Sequence, residues 1–365
     1  MSAPQHQPAN AAQRSPSALH DALEKIVAGD DLSRAEAESA MEQILSGQSS
    51  DAQIAGFLAS LRLKGETVDE LVGFATVMRR HATPLFAASA GSRPADEILV
   101  DTCGTGGDAR GTFNISTAAA FVVAGAGVRV AKHGNRSISS HCGSADVLES
   151  LGLRVDLPPE SVARSLDEIG IAFLFAPAFH AATRHAMNAR RELRIRTVFN
   201  LLGPLTNPAG ASAQVVGVFD EGYVELLARA LGELGVRRAF VVHGADGLDE
   251  ISLSGETTVA ELRDGAVRDY TLAPEDFGLP RAPLEALAGG DAKTNAEIIH
   301  KILGRSPGHH EHGPRRDIVL ANAAAALVAA GRAADFLDGT RLAAHSIDSG
   351  AARAKLDALV AFCAK

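Results

Sequence analysis

The sequence predicts an α/β protein, with a small all-helical domain ahead of a larger α/β domain built on a mainly parallel sheet. Three observations carry this expectation. From 17 to about 80, apolar residues recur three and four apart, as in Ile54, Phe57, Leu58 and Leu61, then Leu71, Phe74, Ala75 and Met78. From 84 to 94 the composition turns to Pro, Gly and Ala, which marks a linker. Beyond it, short apolar runs alternate with polar loops and helical stretches, the pattern of parallel strands covered on both faces.

Taken in order, residues 1–16 are rich in Pro, Gln, Ser and Ala and lack an apolar signal core, so they read as a disordered tail. The helical domain spans 17–92 and holds about four helices. Asp31 or Ser33 can cap one and Ser50 or Asp51 another, with Gly47 and Gly65 at breaks. The α/β domain starts at 93. Strands are expected over 98–100, 128–131, 171–175, 214–219 and 239–242, with helices over 117–124 and near 145–150. Residues 259–272 alternate like an antiparallel hairpin, and 294–302 and 317–330 are helical. His309, His310 and His312, in the tract GHHEHG, read as an exposed loop rather than a metal site.

Composition narrows the function. Hydrophobic residues are 46%, aromatics only 4% and Trp absent, so the core must be filled by Ala, Val, Leu and Ile. A net charge of −9 argues against nucleic acid and anionic membranes as partners, though not against a local basic cavity. The apolar runs fall short of the ~20 residues that cross a bilayer. Cys103, Cys142 and Cys363 are odd in number and widely spaced, which suits a reducing cytoplasm.

Two loops carry chemistry. After the first strand comes Asp101-Thr102-Cys103-Gly104-Thr105-Gly106-Gly107-Asp108. Glycines let backbone N–H groups approach phosphate oxygens, and the following helix adds its positive end. No Gly-Lys-Ser/Thr completes a P-loop, and Ala109 stands where a dinucleotide fingerprint needs its third glycine. Alone, the segment could be a tight turn. After the second strand, 132–140 combine cations, an amide, hydroxyls and a glycine, a set suited to a polyanion. Asp249 and Glu250 follow a later strand and are either a solvated acidic turn or oxygen ligands for Mg²⁺. Arg190, Arg191, Arg194 and Arg196 form either a basic helix surface or the cation for an anionic substrate.

Taken together, GTGGD, NIST, KHGNRSISSHCGSADVLESLG, RTVFNLLGPLTNP and DGLDE resemble the anthranilate phosphoribosyltransferase family in order and spacing, from about 19 to 362. The resemblance implies the fold shared with pyrimidine nucleoside phosphorylases, in which about 177–205 returns to complete the helical domain and 93–176 with 206–365 form the α/β domain. It implies transfer of the phosphoribosyl group from phosphoribosyl pyrophosphate to the amine of anthranilate, giving N-(5-phosphoribosyl)anthranilate and pyrophosphate in tryptophan biosynthesis. It also implies Mg²⁺, as two ions, and a homodimer joined through the helical domain.

By the same resemblance, phosphoribosyl pyrophosphate would be lined by Gly104, Gly107, Asp108, Thr112, Asn114, Ile115, Ser116 and Thr117. Lys132, His133, Gly134, Asn135, Arg136, Ser137, Ser139, Ser140 and Ser144 would complete that site. Arg190 would hold the anthranilate carboxylate beside Gly104 and Asn135, and Asp249, Glu250 and Ser116 would hold the metal. An aromatic amine is neutral at pH 7, so no general base is assigned. Arg194 and Cys142 depart from the glycine and serine common at those positions. A pyrimidine nucleoside phosphorylase is disfavoured by Asp108 and the Asp249-Glu250 pair, and a nucleic-acid-binding relative by the acidic charge.

Overall fold

The computed structural model describes residues 17–86, 97–137, 142–304 and 311–364. Four helices come first: α1 (Ala18–Val27), α2 (Arg34–Leu45), α3 (Asp51–Lys64) and α4 (Val68–His81). Capping boxes start the last three. Ser33, Ser50 and Thr67 accept from the backbone three residues on, while Glu36, Gln53 and Glu70 reach back. Of the alternatives in the sequence, Ser33 and Ser50 are the caps.

The α/β region then runs β1 (Leu99–Gly104), α5 (Ile115–Gly125), β2 (Arg129–Gly134), α6 (Ser144–Ser150), α7 (Pro159–Ile169), β3 (Ile171–Phe175) and α8 (Ala176–Phe179). Helices α9 (Arg184–Leu193) and α10 (Val198–Leu205) follow, then β4 (Ala213–Gly217), α11 (Val224–Glu233), β5 (Arg238–Gly244), β6 (Thr257–Arg263) and β7 (Ala266–Leu272). The chain ends with α12 (Ala292–Leu303), α13 (Pro314–Ala329), α14 (Phe336–Asp348) and α15 (Ala351–Cys363).

The seven strands form one sheet in the order β3-β2-β1-β4-β5-β6-β7. Pairings are parallel from β3 to β5 and antiparallel from β5 to β7, so the expected hairpin is present. One face of the sheet is covered by α5 and α12–α15, packed around Phe121, Val215, Val242 and Leu327. Helix α5 is buried nearly all round, as expected for the apolar stretch Ile115–Gly125. On the other face, a second apolar cluster joins Phe57 and Phe74 of the first four helices to Leu202 of α10 and Leu227 of α11. The same cluster reaches Val216 and Val241 on the sheet. Arg79 ties these parts together: its Nε donates to Leu205 O and its Nη1 to Leu234 O, at 2.8 Å each, satisfying the carbonyl ends of α10 and α11. Among the described residues, no helix is long and apolar enough to cross a membrane.

Two strands differ from the sequence reading. The polar loops expected from Asp101 and Lys132 are still strand through Gly104 and Gly134. Register continues from Asp101 opposite Gln214 to Gly104 opposite Gly217, and from Lys132 opposite Phe173 to Gly134 opposite Phe175. These buried polar residues satisfy one another. Asp101, fully buried, accepts from His133 N at 3.1 Å and from Asn207 Nδ2 at 2.8 Å. Lys132 Nζ donates to Thr102 O and, at 3.3 Å, to Ser116 Oγ.

Candidate active site

Successive strands are laid leftward from β1 to β3, and then the chain crosses back to place β4 on the other side of β1. Open α/β sheets bind ligands at such a reversal, beyond the carboxyl ends of the strands. A cavity of about 470 Å³ lies there. It is lined by the ends of β1 and β2, the start of α5, Arg190 of α9, Phe199 and Asn200 of α10, and Asp249 and Glu250.

The loop after β1 is held in a left-handed series. Gly106, Gly107, Ala109 and Gly111 all have positive φ, at 65°, 83°, 57° and 68°. Alternation of this kind turns backbone N–H groups into a concavity that favours anions. Thr105 N anchors the loop to Gly217 O at 2.9 Å, and Gly106 N donates to Asp249 Oδ2 at 3.0 Å. Gly217 is required by close approach, since a Cβ there would lie 1.5 Å from Asp249 O.

Three carboxylates meet beside this loop. Burial, then repulsion from Asp108 and Glu250, raises the Asp249 carboxyl well above its ordinary range. Glu250 is pushed up to about 7 by burial, partly opposed by Lys132. Its Oε1 accepts from Ser116 N at 3.0 Å, so the positive end of α5 is already facing a carboxylate of the protein itself. Asp108 Oδ2 is buried without a hydrogen-bond partner among the described residues. Desolvated, mutually repelling carboxylates with an orphaned oxygen are what a hard divalent cation relieves. No three His, Cys, Asp or Glu side chains close into a ready-made metal cage among the described residues. That fits Mg²⁺, which takes one or two carboxylates and completes its shell with water and substrate phosphate.

Arg190 also lines the cavity. Its guanidinium sits 4.8 Å over the Phe199 ring, and its Nη1 reaches Met187 Sδ at 3.7 Å. No carboxylate pairs with it among the described residues, and burial lowers its pKa to about 10. A half-buried, unpaired cation facing a cavity attracts an anion. The His133 and His180 rings meet at 5.3 Å between centroids, tilted by 54°. Burial holds both neutral, at about 3 and about 4. His133 Nδ1 meets Gly203 O at 3.1 Å.

Of the residues expected from the sequence, Gly104, Gly107, Asp108, Thr112, Asn114, Ile115, Ser116 and Thr117 all line the cavity. So do Lys132, His133, Gly134, Asn135, Arg136, Ser137, Ser144, Arg190, Asp249 and Glu250. Ser139, Ser140, His309 and His310 lie outside the described residues, and His312 is exposed. Arg136 and Asn114 are among the lining side chains that are committed within the protein. Arg136 makes a fork on Glu149 at 2.6 and 2.7 Å, and Asn114 donates to Cys142 O at 3.1 Å rather than capping α5. Phe199, Asn200, Gly203, Pro204 and Gly290 line the cavity without having been singled out. The first four stand inside RTVFNLLGPLTNP, where apolar residues read as helix core; nothing local marks Gly290.

Comparison with known proteins agrees with this geometry. Residues 20–82 match the helical bundle domain of a glycosyl transferase family, and 96–353 match that family's a/b domain. Anthranilate phosphoribosyltransferase of Moorella thermoacetica is 60% identical over 340 residues, 93% of this chain and 97% of that protein. The enzyme of the same name from Pelotomaculum thermopropionicum is 57% identical over 94% of this chain and 96% of its own length. The crystal structure of the Thermus thermophilus anthranilate phosphoribosyltransferase superposes with a TM-score of 0.86 at 45% identity, covering 94% of this chain and all (100%) of that one. The Saccharomyces cerevisiae enzyme in complex with PRPP and Mg has a TM-score of 0.84 at 28% identity, covering 96% and 99%. With both domains matched and identity this high along nearly the whole length, the chain belongs to the anthranilate phosphoribosyltransferase family.

Proposed function

We propose that the protein transfers the phosphoribosyl group of phosphoribosyl pyrophosphate to the amine of anthranilate, releasing pyrophosphate, as a step of tryptophan biosynthesis. One observation carries the reading: one cavity is lined by a loop of anion-binding conformation, by Asp108, Asp249 and Glu250, and by the guanidinium of Arg190, which pairs with no carboxylate among the described residues. Gly104, Gly107, Asp108, Thr112 and the residues from Asn114 to Thr117 would take the phosphoribosyl pyrophosphate, with 132–137, Ser139, Ser140 and Ser144. Arg190 would pair with the anthranilate carboxylate, with Gly104 and Asn135 beside it. Asp249, Glu250 and Ser116 would hold Mg²⁺, two ions in this reading, which neutralises charge gathering on the departing pyrophosphate.

The chain's own groups then position and stabilise. Loop N–H groups and the Lys132 ammonium, held by Thr102 O and the loop's backbone conformation, would stabilise charge accumulating on the leaving group without reorganising. The Arg190 guanidinium, held on Phe199, orients the ring so that its neutral amine faces the ribosyl carbon. Residues 17–92 with about 177–205 are taken as the helical domain, and 93–176 with 206–365 as the phosphoribosyl-binding domain. The enzyme is taken as a cytoplasmic homodimer joined through the helical domain.

The test mixes protein, anthranilate, phosphoribosyl pyrophosphate and Mg²⁺ and follows loss of anthranilate fluorescence. Asp249→Asn and Glu250→Gln keep size but remove charge, so kcat should fall about 100- to 1000-fold and the magnesium midpoint should rise. Wild-type rates and midpoint in both variants would mean the acids are a solvated turn.

A further inference from the structure

Arg196 lies between the helix that carries Arg190 and the helix that carries Phe199. Its side chain lies over Phe219, with the guanidinium carbon 4.3 Å from the ring centroid. Its Nε lies against the glycine loop. A Cβ on Gly107 would stand only 2.9 Å from Arg196 Nε and 3.5 Å from Cζ, and Gly107 has φ +83°. Phe219 is in turn fixed to the same loop, since its N–H donates to Thr105 Oγ1 at 3.2 Å. Behind Phe219 the Tyr223 ring lies at 5.4 Å. Arg196 forms no ion pair among the described residues, although it is exposed and acidic residues are abundant in the chain. It does not itself line the cavity.

We infer that Arg196 is a positioning residue: a flat cation clamped between Phe219 and Gly107 that fixes the glycine loop in its anion-binding form. This rests on the reading of that loop as the pyrophosphate-binding element. Two properties of the guanidinium suit the task. Its planar face stacks on an aromatic ring while its edge backs the peptide of Gly107, a geometry an ammonium cannot reproduce. Its charge stands against Gly107, next in the chain to Asp108 and in the loop whose Gly106 N–H meets Asp249, so it lowers the negative potential that a polyanion must overcome. The loop needs such support because its left-handed residues give it little regular hydrogen bonding of its own. The same short segment runs from α9 into α10, so it joins the anchor of one proposed substrate to the support of the other.

Calorimetric titration of phosphoribosyl pyrophosphate and steady-state kinetics test this in the full-length protein. Arg196→Ala should raise both Kd and KM for phosphoribosyl pyrophosphate about 5- to 30-fold. KM for anthranilate should stay within about twofold, and Tm within about 2 °C, since the residue is exposed. Arg196→Lys restores charge without the plane and should recover only part of the loss. Phe219→Leu should weaken phosphoribosyl pyrophosphate in the same way, and adding it to Arg196→Ala should cost nothing further. Unchanged phosphoribosyl pyrophosphate binding in Arg196→Ala would overturn the inference, as would equal weakening of both substrates or full additivity with Phe219→Leu. Wild-type protein that binds no phosphoribosyl pyrophosphate would overturn the reading of the loop itself, and this inference with it.

Discussion

Arg190 is costly to the folded chain while it stands alone, because a guanidinium pushed down to about 10 by burial has lost water without gaining a counter-charge. A flat carboxylate-bearing ring resolves that: the carboxylate takes the fork of N–H donors and Phe199 already occupies the other face. Replacing Arg190 by Ala should therefore raise KM for anthranilate about 10- to 150-fold, the equivalent of a charge-assisted hydrogen bond of ~1.5–3 kcal/mol, with phosphoribosyl pyrophosphate little affected. Equal weakening of both substrates would point instead to a folding defect. At this scale the sequence was informative wherever residue type and function coincide. Arg190, Lys132 and the Asp249-Glu250 pair stand out as charges at loop ends or in clusters. Phe199 does not, because an apolar residue in an apolar helix looks the same whether it fills a core or carries a guanidinium.

Element boundaries show where polar pattern misleads. A run such as Asp101-Thr102 or Lys132-His133 reads as loop, yet parallel pairing extends through both because the charges satisfy each other inside the sheet. The residues of these loops were legible; that Asp101 to Gly104 and Lys132 to Gly134 finish the strands was not, since it depends on partners outside the local segment, such as Asn207 for Asp101 and Ser116 for Lys132. Helix α9 ends on Arg194 in the left-handed region, with φ 53° and ψ 27°. A side chain there strains the backbone, so Arg194→Gly should stabilise the protein by about 0.5–1 kcal/mol in urea unfolding, the relief of strain exceeding the entropy glycine adds to the unfolded chain. The pair of rings at the end of β2 and after α8 gives a pH signature. His133 and His180 are held neutral at about 3 and about 4, below the ordinary 6.5. Their contribution is thus complete above pH 6.5 and lost as pH falls toward their folded values. Glu250, raised to about 7, acts in the opposite sense, losing stability as pH rises, so the raw profile mixes both. The difference between wild type and a His133→Asn/His180→Asn variant isolates the pair. It should shrink by about 4 kcal/mol between pH 8 and pH 5. An unchanged difference would mean the rings ionise freely in the fold.

Across the whole molecule, composition and periodicity were enough for the class of fold, because a core of Ala, Val, Leu and Ile in alternating strands and helices has few packings open to it. How the lobes join was not readable from local pattern, since α9 and α10 meet the first four helices only after the first three strands of the sheet have been laid. The proposed homodimer should scatter light as about twice the 37.8 kDa chain at micromolar concentration, and a monomer throughout that range would rule it out. The apolar cluster that runs from Phe57 and Phe74 through Leu202 and Leu227 to Val216 and Val241, with Arg79 closing two helix ends across it, has a consequence for the energetics of the chain as a whole. Neither lobe can lose its packing without exposing the apolar face of the other. Heat should therefore dissolve both in one calorimetric transition, with van't Hoff and calorimetric enthalpies in agreement per cooperative unit. The first four helices, expressed without the rest, would be left with an uncovered flank instead of a transplantable module.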